Sequence, residues 1–218
     1  MKEQGLQPDR VAYNALLSAL RVAEMPDQAV LLWQEMIGKG SSPSSKIASA
    51  KADPTLSPDI ITVTDVLATL VRSGGSANMI MVDLVFAEAV QRGIVLGKDK
   101  ILDSHYEIDL SGMAFPVARA SVRFIFNRIK DNYRRGGTIE DVILITGVGA
   151  QFLRPYSATQ PEPLSADQYE TTQSLRDYTQ EVLHTDFEPR IKSSVPQLGQ
   201  GTVLITKDEV LEWVCSQN

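Results

Sequence analysis

The chain has 218 residues, 43% hydrophobic and 22% charged, which is ordinary for a globular protein and enough for one medium domain or two small ones. Its longest apolar runs fall well short of a membrane-spanning helix, and with one cysteine (Cys215) and two histidines (His105, His184) it can build neither a disulfide framework nor a Cys/His zinc site. A net charge of −6 argues against a uniformly basic coat for nucleic acid.

That charge is spread unevenly. Residues 1–97 carry a net −2, residues 98–154 a net +2 and residues 155–218 a net −6. The middle stretch is therefore where a phosphate backbone would be met electrostatically. The opening residues have neither an apolar signal core nor an Arg/Ser-rich amphipathic character, so no targeting peptide is read there.

In chain order, two segments look alike. Residues 8–20 (PDRVAYNALLSAL) lead into residues 27–40, and residues 58–70 (PDIITVTDVLATL) lead into residues 82–93. Each reads as a pair of amphipathic helices. Val11, Leu16, Leu17 and Leu20 are expected on the apolar face of the first helix, and Ala29, Leu32, Trp33 and Met36 on that of the second. Pro26 suits a first turn, and Gly38 and Gly40 suit a helix end. Helix pairs repeated in series predict an α-solenoid. Between the pairs, residues 41–57 are rich in Ser, Ala and Pro and are expected to form a disordered insertion.

The residues Tyr13-Asn14, Ala29, Trp33, Glu35-Met36, Gly40 and Pro58-Asp59, then Phe86, Glu88, Ala89 and Gly93, resemble the pentatricopeptide repeat family. Residues 1–9 resemble the tail of such a repeat, so the chain is expected to begin mid-repeat, with two repeats over residues 10–97. The resemblance implies single-stranded RNA as partner, one base being read per repeat by a polar residue early in the first helix and by the residue that closes the repeat. Here these are Asn14 with Asp59, a pair the family associates with a pyrimidine. Thr64 holds the reading position of the second repeat, and its closing partner falls near Gly97. The plainer alternative is that Asn14 is a helix-start residue and Asp59 an N-cap.

From about residue 106 the pattern changes. Residues 106–110 alternate like a short strand, and Ser111-Gly112 is a turn. Residues 117–133 are helical, with Ala118, Val122, Ile125, Phe126, Ile129 and Tyr133 on the apolar face. Residues 141–146 form an apolar run typical of a buried strand. A tight turn follows at Gly147-Val148-Gly149. Residues 174–184 read as a helix, 202–206 as a strand and 208–215 as a last helix with Leu211 and Val214 inward. Strand, helix, strand, helix, strand predicts a small α/β sandwich with crossover connections, giving an α + α/β fold class for the whole chain. Residues 153–172 are Pro-rich and acidic and read as an inserted loop.

Asp109-Leu110-Ser111-Gly112, Thr146-Gly147-Val148-Gly149, Gly201-Thr202-Val203 and the closing Leu211 and Trp213-Val214 resemble the Smr (small MutS-related) domain family over residues 105–218. That domain at the end of a pentatricopeptide array is a known architecture. The resemblance implies a nucleic-acid contact or nicking module of an RNA-processing system in a chloroplast or mitochondrion. Asp109 is then the candidate acid that positions water. The Gly112, Gly147 and Gly149 turns would hold a phosphate oxygen on backbone N–H groups, with the Thr146 hydroxyl as a further donor. A divalent metal enters only if the nuclease is active. Ser111 stands where the family often has His, and neither Ser111 nor Thr146 is a general base near neutral pH. His105 would lie on the strand face of Asp109 but roughly 13 Å away.

Arg119, Arg123, Lys130 and Arg134 recur at helical spacing in the most basic stretch and read either as a phosphate-binding stripe or as an ordinary solvated face. Phe115 and Phe152 are candidates for base stacking or for core. Two other functions compete with RNA processing: a non-catalytic docking module, favoured by Ser111 and the acidic balance, and DNA nicking in repair, against which the helical repeats argue.

Overall fold

The computed structural model describes residues 8–39, 56–96, 106–147, 174–196 and 201–217. Most of residues 1–9 and 41–57 and all of 153–172, together with Gly40, Gly97, His105, Gly149 and Phe152, lie outside them. The chain divides into two compact units, Met1–Gly97 and Lys98–Asn218. Among the described residues there are seven helices and a three-stranded mixed sheet, an α unit followed by a mixed α/β unit.

The first unit holds α1 (Arg10–Val22), α2 (Pro26–Met36), α3 (Ile60–Ser73) and α4 (Ser76–Gln91). Local chemistry explains their starts. Asp9 accepts the Ala12 N–H at 2.9 Å, and Asp59 accepts the Thr62 N–H at 3.0 Å while Thr62 Oγ1 accepts the Asp59 N–H at 3.1 Å. Each cap is worth about 0.5–2 kcal/mol. Pro26 occupies the first turn of α2, where its missing N–H costs nothing.

Packing then joins the helices in sequence. α1 contacts α2 and α3, and α3 contacts all three other helices. The core is made by Leu17 and Leu20, Ala29 and Trp33, Val63, Val66, Leu67 and Leu70, and Val82, Val85, Phe86 and Ala89. Full burial of one such leucine stabilises by about 1.5–3 kcal/mol. Polar ties flank this core. Tyr13 Oη donates to Glu35 at 2.8 Å and closes α1 on α2, while Arg21 donates to the buried Asp65 at 3.0 Å and ties α1 to α3. Burial raises the pKa of Asp65 more than the Arg21 charge and hydrogen bond lower it.

The core face of α1 differs from the expected one. Tyr13, Leu17 and Leu20 are buried, whereas Val11 is 72% and Leu16 48% exposed. Leu17 anchors the stripe at i−4 and i+3, and Val11 and Leu16 lie off it. The corresponding α3 residue, fifty positions on from Leu16, is Val66, and it is fully buried because α1 packs over α3.

The second unit runs β1 (Tyr106–Asp109), α5 (Phe115–Arg134), β2 (Val142–Ile145), α6 (Leu175–Thr185), β3 (Thr202–Ile205) and α7 (Lys207–Cys215). β1 and β2 are parallel, with Asp109 opposite Ile145, so the α5 connection is the expected crossover. The second expected crossover is not formed, because β3 pairs with β2 antiparallel. The reason lies in the return path: Ser194 bridges Leu204 antiparallel on the outer side of β3, so the chain enters β3 from the opposite end. Ile108, Val142, Leu144, Val203 and Ile205 make the buried sheet face. Ile143 and Ile145 on the other face are only half-buried, so β2 is not enclosed on both sides as its apolar run predicts.

α6 packs against α5 and β3. Phe126 of α5, Phe187 just after α6 and Trp213 of α7 form a three-ring cluster with centroids 5.2–5.6 Å apart, the Trp213 ring nearly perpendicular to both phenyl rings. Leu211 is half-buried while Val210 joins Trp213 and Val214 inside.

Candidate nucleic-acid interface

In the helical unit, Asn14 and Asp59 meet although they are 45 residues apart: Asn14 Nδ2 donates to Asp59 Oδ1 at 3.2 Å. Thr62 Oγ1 donates to Asn14 Oδ1 at 2.7 Å, and Arg10 Nε lies 3.1 Å from Asp59 Oδ2. Partial burial tends to raise the Asp59 pKa, but hydrogen bonds from Thr62 and Asn14 and the Arg10 charge outweigh it, and the carboxyl ends below its ordinary range. Asp59 therefore caps α3, as the plainer alternative has it, and also fixes Asn14. Asn14 and Asp59 are both half-buried. Thr64 sits at the matching position of α3, half-buried, its hydroxyl donating back to the Ile60 carbonyl at 2.7 Å. Arg10 and Thr62 were not singled out from the sequence. The Asp-x-x-Thr spacing of a cap was the available signal for Thr62.

In the α/β unit, the turns after β1 and β2 lie side by side. The parallel register sets Asp109 beside Ile145, and the Leu110 N–H donates to the Ile145 carbonyl at 2.7 Å. Asp109 Oδ1 accepts the Ser111 N–H at 2.9 Å and the Ser111 hydroxyl at 2.5 Å, which holds the carboxylate in its own turn. Gly112 at φ +75° and Gly147 at φ +81° occupy left-handed backbone that a side chain would strain. Thr146 is 2% exposed, and its N–H and hydroxyl both go to the Gly201 carbonyl, at 2.7 and 3.0 Å. Its hydroxyl therefore pins the β2 turn to the turn before β3. Ligand sites of open α/β sheets form at such paired strand ends.

The basic positions on α5 divide. Arg119 grips Asp186 with two nitrogens, at 2.7 and 2.5 Å, and Arg123 reaches the same carboxylate at 3.3 Å. The Asp186 side chain is 1% exposed, so these guanidiniums are drawn to the end of α6 and are not freely solvated. Burial acts to lower the Arg119 pKa, yet Asp186 more than reverses it and leaves it raised. Lys130 is half-buried and Arg134 exposed. Phe115 stacks on Tyr178 at 4.3 Å between centroids, which gives that ring a neighbour within the unit. Asp186 is the residue the sequence did not flag, since nothing local in it signals partners more than sixty residues away.

His184 is exposed in the last turn of α6. Among the described residues, no group of three or more His, Cys, Asp or Glu side chains is placed to hold a metal ion. No helix among them is long and apolar enough to cross a membrane.

Comparisons with protein-family models, with curated proteins and with solved structures each found no match to this chain.

Proposed function

We propose that the protein binds single-stranded RNA in RNA processing or expression, as a short pentatricopeptide-like solenoid followed by an Smr-like α/β module. The observation that carries this reading is the Asn14–Asp59 contact. Two polar side chains from the starts of successive first helices converge at the surface, as a shared base reader requires. The module adds contacts to the RNA backbone through the adjoining Asp109–Gly112 and Thr146–Gly147 turns and through Lys130 and Arg134 of α5. An organellar site of action follows from the resemblance to these two families.

A salt-dependent shift assay on the full chain tests this, with single-stranded uridine-rich RNA against duplex DNA of equal length. RNA retention that weakens with salt, and loses at least about tenfold on Asn14→Ala, supports the reading. Equal affinity for duplex DNA, or no effect of Asn14→Ala, overturns it.

A second reading of the module, as a binding surface without cleavage, is favoured by one arrangement. The Thr146 hydroxyl is buried on Gly201 and the Ser111 hydroxyl is used in holding Asp109, so neither hydroxyl is placed to take part in proton transfer. If cutting does occur, Asp109→Ala should abolish it while RNA retention persists.

A further inference from the structure

α1 carries an apolar face that the described helices leave uncovered. At about 100° per residue, Val11, Ala12, Ala15, Leu16, Ala19, Val22 and the capping Ala23 share one side of the helix, and no polar or charged residue interrupts them. Val11 is 72%, Val22 70% and Leu16 48% exposed, and Ala15, Ala19 and Ala23 are exposed with them. The residues that dock α1 on α3 point the opposite way, Asn14 to Thr62 and Arg21 to Asp65.

The internal repeat shows what such a face does. Fifty positions on, Ala12, Ala15, Leu16 and Ala19 correspond to Thr62, Asp65, Val66 and Thr69 of α3, and all four of these are buried where α1 packs over α3. The α1 face is the same surface one helix further out, so it continues an established helix–helix interface. Its chemistry differs in one respect. Thr62 and Asp65 anchor α1 through Asn14 and Arg21, and alanine stands at both equivalent places on α1. A helix docking as α1 does would find no polar anchor there, and the face suits a wholly apolar partner.

The order of the side chains selects that partner. Val11 and Ala23, Ala12 and Val22, and Ala15 and Ala19 are each equidistant from Leu17 in sequence. In an antiparallel pair of α1 helices related by a two-fold axis at that level, the members of each pair come from different copies and lie side by side. Large meets small toward the ends and small meets small at the centre, which is the self-complementarity a two-fold interface requires. Alanines at the centre let the helix axes approach to about 8 Å.

We propose that this face of α1 is the interface of a weak two-fold homodimer of the chain. Its strength follows from its size. Thirteen residues make a helix only about 20 Å long. Such a strip buries less than the roughly 800 Å² per partner of a standard interface, so the dissociation constant is expected on the order of 100 µM. The net charge of −6 on each copy also opposes association. At low-micromolar concentration the chain is therefore monomeric. The inference stands apart from RNA binding and goes beyond it.

Sedimentation equilibrium of the full chain between about 10 and 500 µM tests the interface. The expected result is a monomer–dimer equilibrium that tightens between about 0.05 and 0.5 M sodium chloride, as repulsion between the copies is screened. Ala15→Glu should weaken dimerisation at least about tenfold, because it buries unpaired carboxylates at the centre of the interface. Its circular dichroism and thermal midpoint at low-micromolar concentration should match the parent. Gln91→Glu, the same charge change at an exposed place on α4, should leave dimerisation unaltered.

An equimolar mixture of Ala15→Glu and Ala19→Lys should associate more tightly than either variant alone, since the antiparallel register sets the two new charges side by side. A monomer at every concentration overturns the homodimer and leaves the face to a helix from outside this chain. Association that weakens with salt, or that Ala15→Glu does not change, overturns it as well, and a mixture no tighter than its components overturns the antiparallel pairing.

Discussion

Asp59 in the helical unit and Asp186 in the α/β unit solve the same problem in different surroundings. Each gathers polar partners from distant sequence: Asp59 holds Arg10 and Asn14, besides Thr62 of its own helix, and Asp186 holds Arg119 and Arg123. The Asp59 side chain is 26% exposed and that of Asp186 is 1%. Water still competes for the first cluster, whereas the second is almost wholly shut away from it. The contrast teaches that burial sets what a carboxylate is worth: the half-exposed Asp59 cluster is cheap to rearrange, while the buried Asp186 clamp is structural.

The sharpest way to break this comparison is to remove the buried carboxylate. Asp186→Ala removes the buried carboxylate that two half-buried guanidiniums share and is expected to cost the α/β unit about 3–5 kcal/mol. In a Trp33→Phe background, Trp213 fluorescence follows that unit alone in urea, and a loss under about 1 kcal/mol would show that the clamp is not structural.

The same rule applied to apolar residues gives an intermediate effect. Val66→Ala should destabilise the helical unit by roughly 1.5–3 kcal/mol, while Leu16→Ala at the equivalent place on α1 should cost under about 0.5 kcal/mol. Trp33 fluorescence in a Trp213→Phe background measures both, and equal losses would contradict the packing of α1 over α3.

Asp59→Ala removes a cap and the Asn14 anchor together, for an expected loss of about 1–2 kcal/mol in the same assay.

The smallest effect is one of pH. The Asp59 carboxyl is more acidic folded than unfolded, so the unfolded chain takes up its proton first as pH falls. Its contribution is complete above the ordinary carboxylate range near 4 and disappears as pH drops through the lower folded value. Acid titration of stability should therefore be flatter below about pH 4 in Asp59→Asn than in the parent chain. Identical profiles would mean that the carboxylate is not held by its neighbours.

Much of this molecule is local and hence legible. The apolar spacing around Leu17, Leu67, Phe86 and Phe126 marks helices, and the Asp59 cap marks where one of them begins. The alternation at Ile108 and the run at Val142–Ile145 mark strands. The Asn14–Asp59 pairing was expected only from the resemblance to a repeat family, because neither residue alone distinguishes a base reader from a cap. The Arg119–Asp186 clamp had no such pattern to betray it.

What the sequence determined by itself was element type, the caps, and the glycines at left-handed turns, all consequences of backbone sterics and nearest-neighbour hydrogen bonding. Only the tertiary structure decided that Leu16 stays outside while Val66 is buried, that β3 runs against β2, and that Arg119 and Arg123 turn inward to Asp186. Each of those outcomes depends on which surface arrives from elsewhere in the chain, and periodicity records that a face is apolar or charged without recording what will cover it.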